Sequence, residues 1–245
     1  MVLLRLVLSL SLIALFACGG SPKAPAVAPS EAEAAARATA SSDPPASAPP
    51  ELAPLDPALV ARLAAADHAT RSNGVPKGKT QRYGHAEIFL HAPLPRVRKV
   101  ITDFAHYKDI VPRKFHNARV VAKESGRTDL YMQIPIMHGM ITLWDILRFG
   151  PTTLTSEGEV LEGTFVRGNV KDANLVLRMR AVDASSTILV CDLLILPKVP
   201  APQSAIDEEL RDAAGDALDG IKLRLDSEGK DAPPPPPASP PPAPA

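Results

Sequence analysis

The sequence is poor in cysteine and has no excess of charge of either sign. Its 245 residues include only two cysteines, and 27 acidic residues balance 27 basic ones. A nucleic-acid-binding protein normally carries a basic excess, and attachment to an anionic membrane surface needs a polybasic patch. The charge balance therefore argues against both kinds of partner.

The sequence also lacks the motifs of metal, phosphate and serine-hydrolase chemistry. Its six histidines show no close spacing with Asp, Glu or Cys of the kind that metal sites use. No glycine-rich phosphate loop follows a predicted strand, and no Gly-X-Ser-X-Gly elbow occurs. We therefore expect neither a metal nor a cofactor.

Aromatic residues are missing from both ends of the chain. Apart from Phe16, every Phe, Tyr and Trp lies between Tyr83 and Phe165. Residues 18–55 are rich in Ala, Pro and Ser and residues 229–245 in Pro, compositions that cannot bury enough apolar surface to offset the entropy of ordering. We predict a disordered tether, one folded domain over residues 82–228, and a disordered tail.

The tail has two interpretations. We favour a solvated polyproline II segment, and the alternative is a ligand for a proline-binding partner or a segment that crosses a cell wall.

Residues 1–17 have the order of a secretory signal peptide. Arg5 supplies a positive charge, Leu6 to Leu15 form the apolar stretch, and the small Ala17 ends it. The stretch is too short for a membrane span, which needs about 20 apolar residues. The ending Leu-Phe-Ala-Cys resembles the lipobox of bacterial lipoproteins, which implies cleavage before Cys18 and lipidation of Cys18.

A lipidated Cys18 would anchor the protein to a membrane, with the domain facing the periplasm. Stable anchoring needs more than one acyl chain, and bacterial lipoproteins carry several. Gly19 rather than Asp after the cysteine favours the outer membrane. The alternative is an ordinary cleaved signal with an incidental cysteine. Cys191, left without a disulfide partner, is expected to act as a small apolar residue in a strand.

Residues 56–81 are predicted to form a short helix and a loop. Asp56 is a natural N-cap and Pro57 suits the first helical position, whereas turn signals over residues 71–79 favour the loop. The folded domain then begins with a strand over residues 82–91 and two short helical segments.

Six further strands and a final helix complete the predicted domain. The strand segments are residues 118–123, 129–136, 140–149, 152–160, 173–182 and 187–196. Their tight connections indicate an antiparallel meander. The final helix spans about residues 203–226. Its Gly215 and Gly220 either allow close packing on the sheet or leave room for a ligand.

This order of elements resembles the START-like (SRPBCC) helix-grip superfamily, in which a curved sheet wraps a long helix. The segments Ile88–Pro93, Val97–Phe104 and Tyr107–Pro112 look like the opening of its coenzyme-Q-binding and polyketide-cyclase branch. Gly168–Asn174 and Leu196–Pro200 fit the same pattern. The resemblance implies an α+β helix-grip fold with a hydrophobic cavity for a lipid, sterol, quinone or polyketide. It carries no universal catalytic set.

Candidate site residues follow from the residues themselves. Apolar cavity candidates, for each of which plain core packing is the alternative, are Met132, Met140, Trp144, Leu175, Leu177, Met179, Leu210, Ala214, Ala217 and Ile221. Trp144 and Phe149 should lie on opposite faces of one strand, so at most one points inward. Polar candidates are Arg113, His116, Asp145, Arg178 and Asp192.

Two of the polar candidates interrupt apolar strands. An unpaired carboxylate there would be costly, so Asp145 and Asp192 should face the surface, pair with Arg178 or Arg180, or hold the polar end of a ligand.

Three functions remain open. The first is a membrane-tethered periplasmic protein that binds or transfers a hydrophobic small molecule. The second is a cyclase or aromatase, which a secreted location makes less favourable. The third is a protein-interaction module whose core is filled by its own side chains.

Overall fold

The computed structural model describes residues 50–110, 115–136, 139–198 and 200–230. The predicted signal peptide, Cys18, nearly all of the predicted tether, the tail beyond residue 230 and the candidate Arg113 lie outside the described residues.

The described residues form four α-helices, one 3₁₀ turn and nine strands. The helical elements are α1 (Pro57–Ala64), α2 (Leu94–Ile101), the 3₁₀ turn Phe104–His106, α3 (Tyr107–Ile110) and α4 (Gln203–Lys230). The strands are β1 (Thr70–Gly74), β2 (Tyr83–Leu90), β3 (Asn117–Glu124), β4 (Arg127–Ile136), β5 (Ile141–Phe149), β6 (Thr153–Thr155), β7 (Gly158–Gly168), β8 (Val170–Ala181) and β9 (Thr187–Pro197). None of the described helices combines the length and apolarity that a membrane span requires.

All nine strands belong to one curved antiparallel sheet. Its order is β1–β2–β9–β8–β7–β5–β4–β3, and β6 pairs with β7 at the side. The long helix α4 packs across β1, β2 and β9. This arrangement confirms the predicted α+β helix-grip fold. We call the sheet face toward α4 the inner face and the opposite one the outer face.

The alternation of buried residues along β5 shows how the sequence determines which side chains point to the inner face. Leu143, Asp145, Leu147 and Phe149 alternate along the strand and are all buried, whereas Arg148 between them is exposed. Because successive side chains in a strand point to opposite faces, one buried set of apolar residues fixes the orientation of the whole strand.

One end of the interior is filled by side chains. The rings of Phe104 and Phe149 lie 4.8 Å apart and those of Phe104 and Tyr107 5.2 Å apart. The Tyr107 hydroxyl donates a hydrogen bond to the carbonyl of Ile101 at 2.7 Å, which satisfies its polar end within an apolar cluster. The second half of α4 completes this end with buried apolar residues such as Leu225.

Two glycines allow backbone segments to pack directly against α4. A Cβ at Gly84 in β2 would overlap the carbonyl of Leu210, and a Cβ at Gly220 would overlap the carbonyl of Ile110 at the end of α3. Gly215 instead lies against the side chain of Arg71. Both helix glycines therefore allow close packing rather than room for a ligand, although Gly220 packs on α3 and not on the sheet.

The predicted loop over residues 71–79 is wrong in its first part. Residues 70–74 form the edge strand β1, which pairs with β2 from Thr70 opposite Glu87 onward. Arg71 forms ion pairs with Asp216 at 2.9 Å and Asp219 at 2.7 Å on α4. Tertiary pairing thus overrides the local turn signals of this segment.

The predicted strand over residues 152–160 is also wrong, since two strands divide it. β6 is short, and β7 begins at Gly158 and continues through Gly163. A Cβ at Gly163 would collide with the ring of Phe149. The predicted helix at residue 57 is confirmed, with the Asp56 side chain accepting a hydrogen bond from the Ala58 N–H at 2.9 Å.

A candidate ligand cavity between sheet and helix

A cavity of about 530 Å³ lies between the inner face of the sheet and the first half of α4. This volume is within the range of pockets that hold small-molecule ligands. The strand side consists almost entirely of apolar side chains, among them Met132, Ile134, Leu143, Leu147, Ala173, Leu175, Cys191, Leu193 and Ile195. The helix side includes Ile206, Leu210, Ala213 and Ala217. The open end of the helix-grip interior is therefore mainly apolar, with acidic residues Glu208, Glu209 and Asp212 on the helix side.

Five of the predicted apolar residues line this cavity. They are Met132, Met140, Leu175, Leu210 and Ala217. Met140 has 74% of its surface exposed and lies at the rim. Four others, Leu177, Met179, Ala214 and Ile221, are buried in the closed core and do not line the cavity. For these four, plain core packing is the correct interpretation.

Trp144 is not a cavity residue. It alternates with the buried inner face of β5 and stacks on the outer face, with its ring 6.0 Å from that of Tyr131. Phe149 is the aromatic residue of this strand that points inward, in the filled end. We expected at most one of these two aromatic side chains to point inward, and this is what the structure shows. The assignment of Trp144 to the cavity is wrong.

Asp145 is the polar candidate that faces the cavity. It lies opposite Met132 of β4 and Gly168 of β7, and it is 1% exposed. Its Oδ1 atom has no hydrogen-bond partner among the described residues. Burial raises the pKa of Asp145 to about 7, because the apolar surroundings disfavour its charged form.

Asp192 and Arg178 lie on the outer face and do not line the cavity. Asp192 accepts hydrogen bonds from His85 Nδ1 at 2.7 Å and from the Arg178 guanidinium. Burial opposes ionisation of Asp192, but these two partners hold its pKa below the usual value. The ion pair with Arg178 was one of the interpretations left open, and it is the one that the structure shows.

His85 is a titratable residue of this outer cluster that the sequence did not lead us to predict. Its ring nitrogens lie 2.7 Å from Asp192 and 3.5 Å from Glu87. The hydrogen bond with Asp192, followed by that with Glu87, raises the pKa of His85 to about 9. The available signal was strand alternation, which places both His85 and Glu87 on the outer face of β2.

The remaining polar candidate contributes no side chain to the cavity. His116 is exposed, and its backbone N–H donates to the carbonyl of Gln133 at 2.9 Å. Phe115 next to it does line the cavity and was not predicted. Within the described ranges, no group of three or more His, Cys, Asp or Glu side chains could hold a metal ion.

Cys191 lines the cavity but is not an activated nucleophile. Burial raises the pKa of its thiol, and Asp192 beside it adds to the shift. A thiol that stays protonated is a weak nucleophile. Cys191 therefore acts as the small apolar residue that its sequence context predicts.

No family model matches the sequence, and no curated protein matches it. Solved structures do match its fold. A START superfamily protein from Mycobacterium smegmatis aligns with a TM-score of 0.51 at 14% identity, over 59% of this chain and 97% of that one. A STAR-related lipid transfer protein from Xanthomonas axonopodis aligns with a TM-score of 0.53 at 14% identity, over 66% and 95%.

Human STARD10 aligns with a TM-score of 0.52 at 10% identity, over 74% of this chain and 83% of that one. These likenesses extend over nearly the whole of the two bacterial chains, and they agree with the sheet order and the long last helix described above. The folded part of this chain has the START-like helix-grip fold.

Proposed function

We propose that this protein is a membrane-tethered lipoprotein that binds a hydrophobic small molecule in the cavity between its sheet and its last helix. The observation that carries the proposal is the apolar lining of a cavity of about 530 Å³. Binding there is driven by removal of apolar ligand surface from water. The STAR-related lipid transfer protein among the solved structures supports a lipid-like ligand by its name and fold.

The tether gives the domain reach. A proline-rich chain is typically semi-extended, at about 3.1 Å per residue. If Cys18 carries the lipid, a chain of this kind up to residue 55 would let the domain lie up to roughly 100 Å from the membrane. A binding domain on a tether of this length can take up a ligand away from the membrane in which it is anchored, which fits carriage across the periplasm.

Binding is tested with the chain from Gly19 onward, expressed in a bacterial periplasm. Native mass spectrometry followed by lipid extraction should find an apolar molecule bound at one per protein. The matched control is a Leu175→Trp variant, which fills the cavity from β8 and should lose the molecule. A wild-type protein that is empty and also ignores apolar fluorescent probes would contradict the proposal and favour the interaction module.

Anchoring is tested separately in the full chain. Wild type should fractionate with membranes and carry lipid on Cys18. A Cys18→Ala variant should carry no acyl mass on the residues that follow its leader. Cleavage before Gly19 in wild type, with no lipid on the protein, would contradict the lipoprotein part and leave the binding part intact.

The cyclase alternative retains one candidate group. Asp145 lies in the cavity with a pKa near neutrality, which suits a general acid or base. His116 is exposed, and Arg178 and Asp192 are engaged with each other on the outer face. The described cavity lining therefore supports binding better than it supports a multi-residue acid–base mechanism.

A further inference from the structure

The aspartate in the cavity is unusual for its lack of a partner. Asp145 has 1% of its surface exposed, and its Oδ1 forms no hydrogen bond with any described residue. Leaving a buried polar group without a hydrogen bond is destabilising, and more so if the group is charged. An unpartnered carboxyl in the wall of a ligand cavity is explained if the ligand supplies the missing hydrogen-bond donor.

The surroundings of Asp145 determine what kind of partner fits. Its neighbours on the inner face are Met132 across the strand pair and Leu143 and Leu147 along β5. None of the three has a hydrogen-bond donor in its side chain. Among the described residues, none of these inner-face neighbours can donate to the carboxyl of Asp145, and a ligand bound in the cavity can.

The charged side chains among the described cavity residues all have one sign. Besides Asp145, the lining includes Glu208, Glu209 and Asp212 of α4, and the described lining residues include no Lys, Arg or His. Arg211, on the same helix, pairs with Glu208 at 3.8 Å and with Asp212 at 3.1 Å. A negatively charged head group would meet acidic side chains at the cavity and a carboxyl inside it. The cavity therefore disfavours anionic ligands.

We propose that the cavity takes an apolar amine, a ligand with a hydrocarbon body and a single amino group that donates its hydrogen bonds to the carboxyl of Asp145. This inference rests on the proposed binding function and names its ligand class. The hydrocarbon body packs against the apolar strands, and the amino group provides the missing donor. Hydrogen bonds between a charged donor and a carboxylate are stronger than those between neutral groups.

The test uses three probes that share one hydrocarbon chain and differ only in the polar end. Isothermal titration of the chain from Gly19 onward compares dodecylamine, dodecanol and dodecanoate. We expect the amine to bind at least about tenfold tighter than the alcohol, which is about 1.4 kcal/mol, and the carboxylate to bind weakest.

Two matched variants locate the preference. Asp145→Asn keeps the shape of the side chain and removes its charge, and it should weaken amine binding about tenfold while the alcohol changes little. Asp192→Asn makes the same chemical change on the outer face and should leave all three affinities unchanged. Asp145→Leu, with circular dichroism to verify folding, replaces the first variant if the amide is not tolerated.

The possible outcomes separate this inference from the function on which it rests. Equal binding of all three probes, or amine binding unchanged in Asp145→Asn, would overturn the amine ligand and leave an apolar binding protein. Tightest binding of the carboxylate would overturn it as well. Failure of all three probes to bind wild type would overturn both the inference and the proposed function.

Discussion

Two aspartates occupy the middles of apolar strands in the same sheet, and their surroundings make them opposites. Asp145 faces inward, and its Oδ1 atom has no hydrogen-bond partner in the described part of the chain. Burial raises the pKa of Asp145 to about 7. Asp192 faces outward and accepts from His85 and Arg178, which hold its pKa below the usual value. A buried carboxylate with two cationic partners is a structural group, whereas one without partners is available to a ligand.

The largest expected effect comes from removing the charge of Asp145. Its raised pKa adds stability that is fully present below about pH 4 and is lost as the pH rises through about 7. Wild type should therefore lose about 3 kcal/mol of unfolding free energy between pH 5 and pH 8 through this group. Asp145→Asn should lack this loss. Urea unfolding at the two pH values measures it, and equal pH dependence in both proteins would show that Asp145 has a partner.

The corresponding change on the outer face should have the opposite sign. Asp192→Asn removes the carboxylate that pairs with Arg178 and His85, and both cations are left at a half-buried site. We expect a loss of about 2 kcal/mol at pH 7, less than for a fully buried pair because Arg178 and His85 are partly exposed. Urea unfolding at pH 7 measures it. A variant as stable as wild type would mean that the cluster contributes nothing to folding.

A smaller effect should appear in the titration of His85. The pKa of His85 is about 9 and depends first on the hydrogen bond with Asp192. The raised pKa adds stability that is present below about pH 6.5 and lost as the pH rises through about 9. Solvent screening of this partly exposed ring reduces the contribution to about 1 kcal/mol. NMR titration should show the pKa of His85 fall by more than one unit in Asp192→Asn and stay unchanged in Asp145→Asn. A lower pKa of His85 in both variants would show that the inner and outer faces are energetically coupled.

The smallest expected effect is the coupling between the two sites. Asp145 on β5 and Asp192 on β9 are separated by three strand spacings, about 14 Å across the sheet. Residues so far apart with no shared partner have additive effects within about 0.5 kcal/mol. The unfolding free energy of the double variant should therefore equal the sum of the single changes within that range. A larger coupling would contradict the independence of the inner and outer faces.

The sequence predicts the architecture well because the signals are periodic. Alternation along β2, β4 and β5, the apolar run of β9 and the helical spacing of α4 together indicate the helix-grip order of elements. The wrong predictions lie where pairing with a neighbouring strand determines the structure. Residues 70–74 have turn-forming residues and become a strand only because β2 and Arg71 with its partners on α4 hold them.

The cavity is predictable only in part, since the same alternation can leave a face undecided. In β5 the charge of Arg148 identifies the outer face, so an inward Asp145 follows from its position three residues earlier. In β9 both sets of alternating residues are apolar around Asp192, and only the partners on β2 and β8 show which way it points. The division of the interior into a filled and an open end depends on the aromatic cluster around Phe104, which no local pattern indicates.

The contacts of the last helix with its neighbours determine how the cavity can respond to a ligand. At Gly84 and again at Gly220 the main chain of one element rests on the main chain of another, so no side chain there can rearrange to let α4 move. The helix is therefore a fixed wall. We expect a ligand to gain room by displacing the side chains at the rim, such as Met140. The cavity would then select ligands by length, because it cannot widen to accommodate longer molecules.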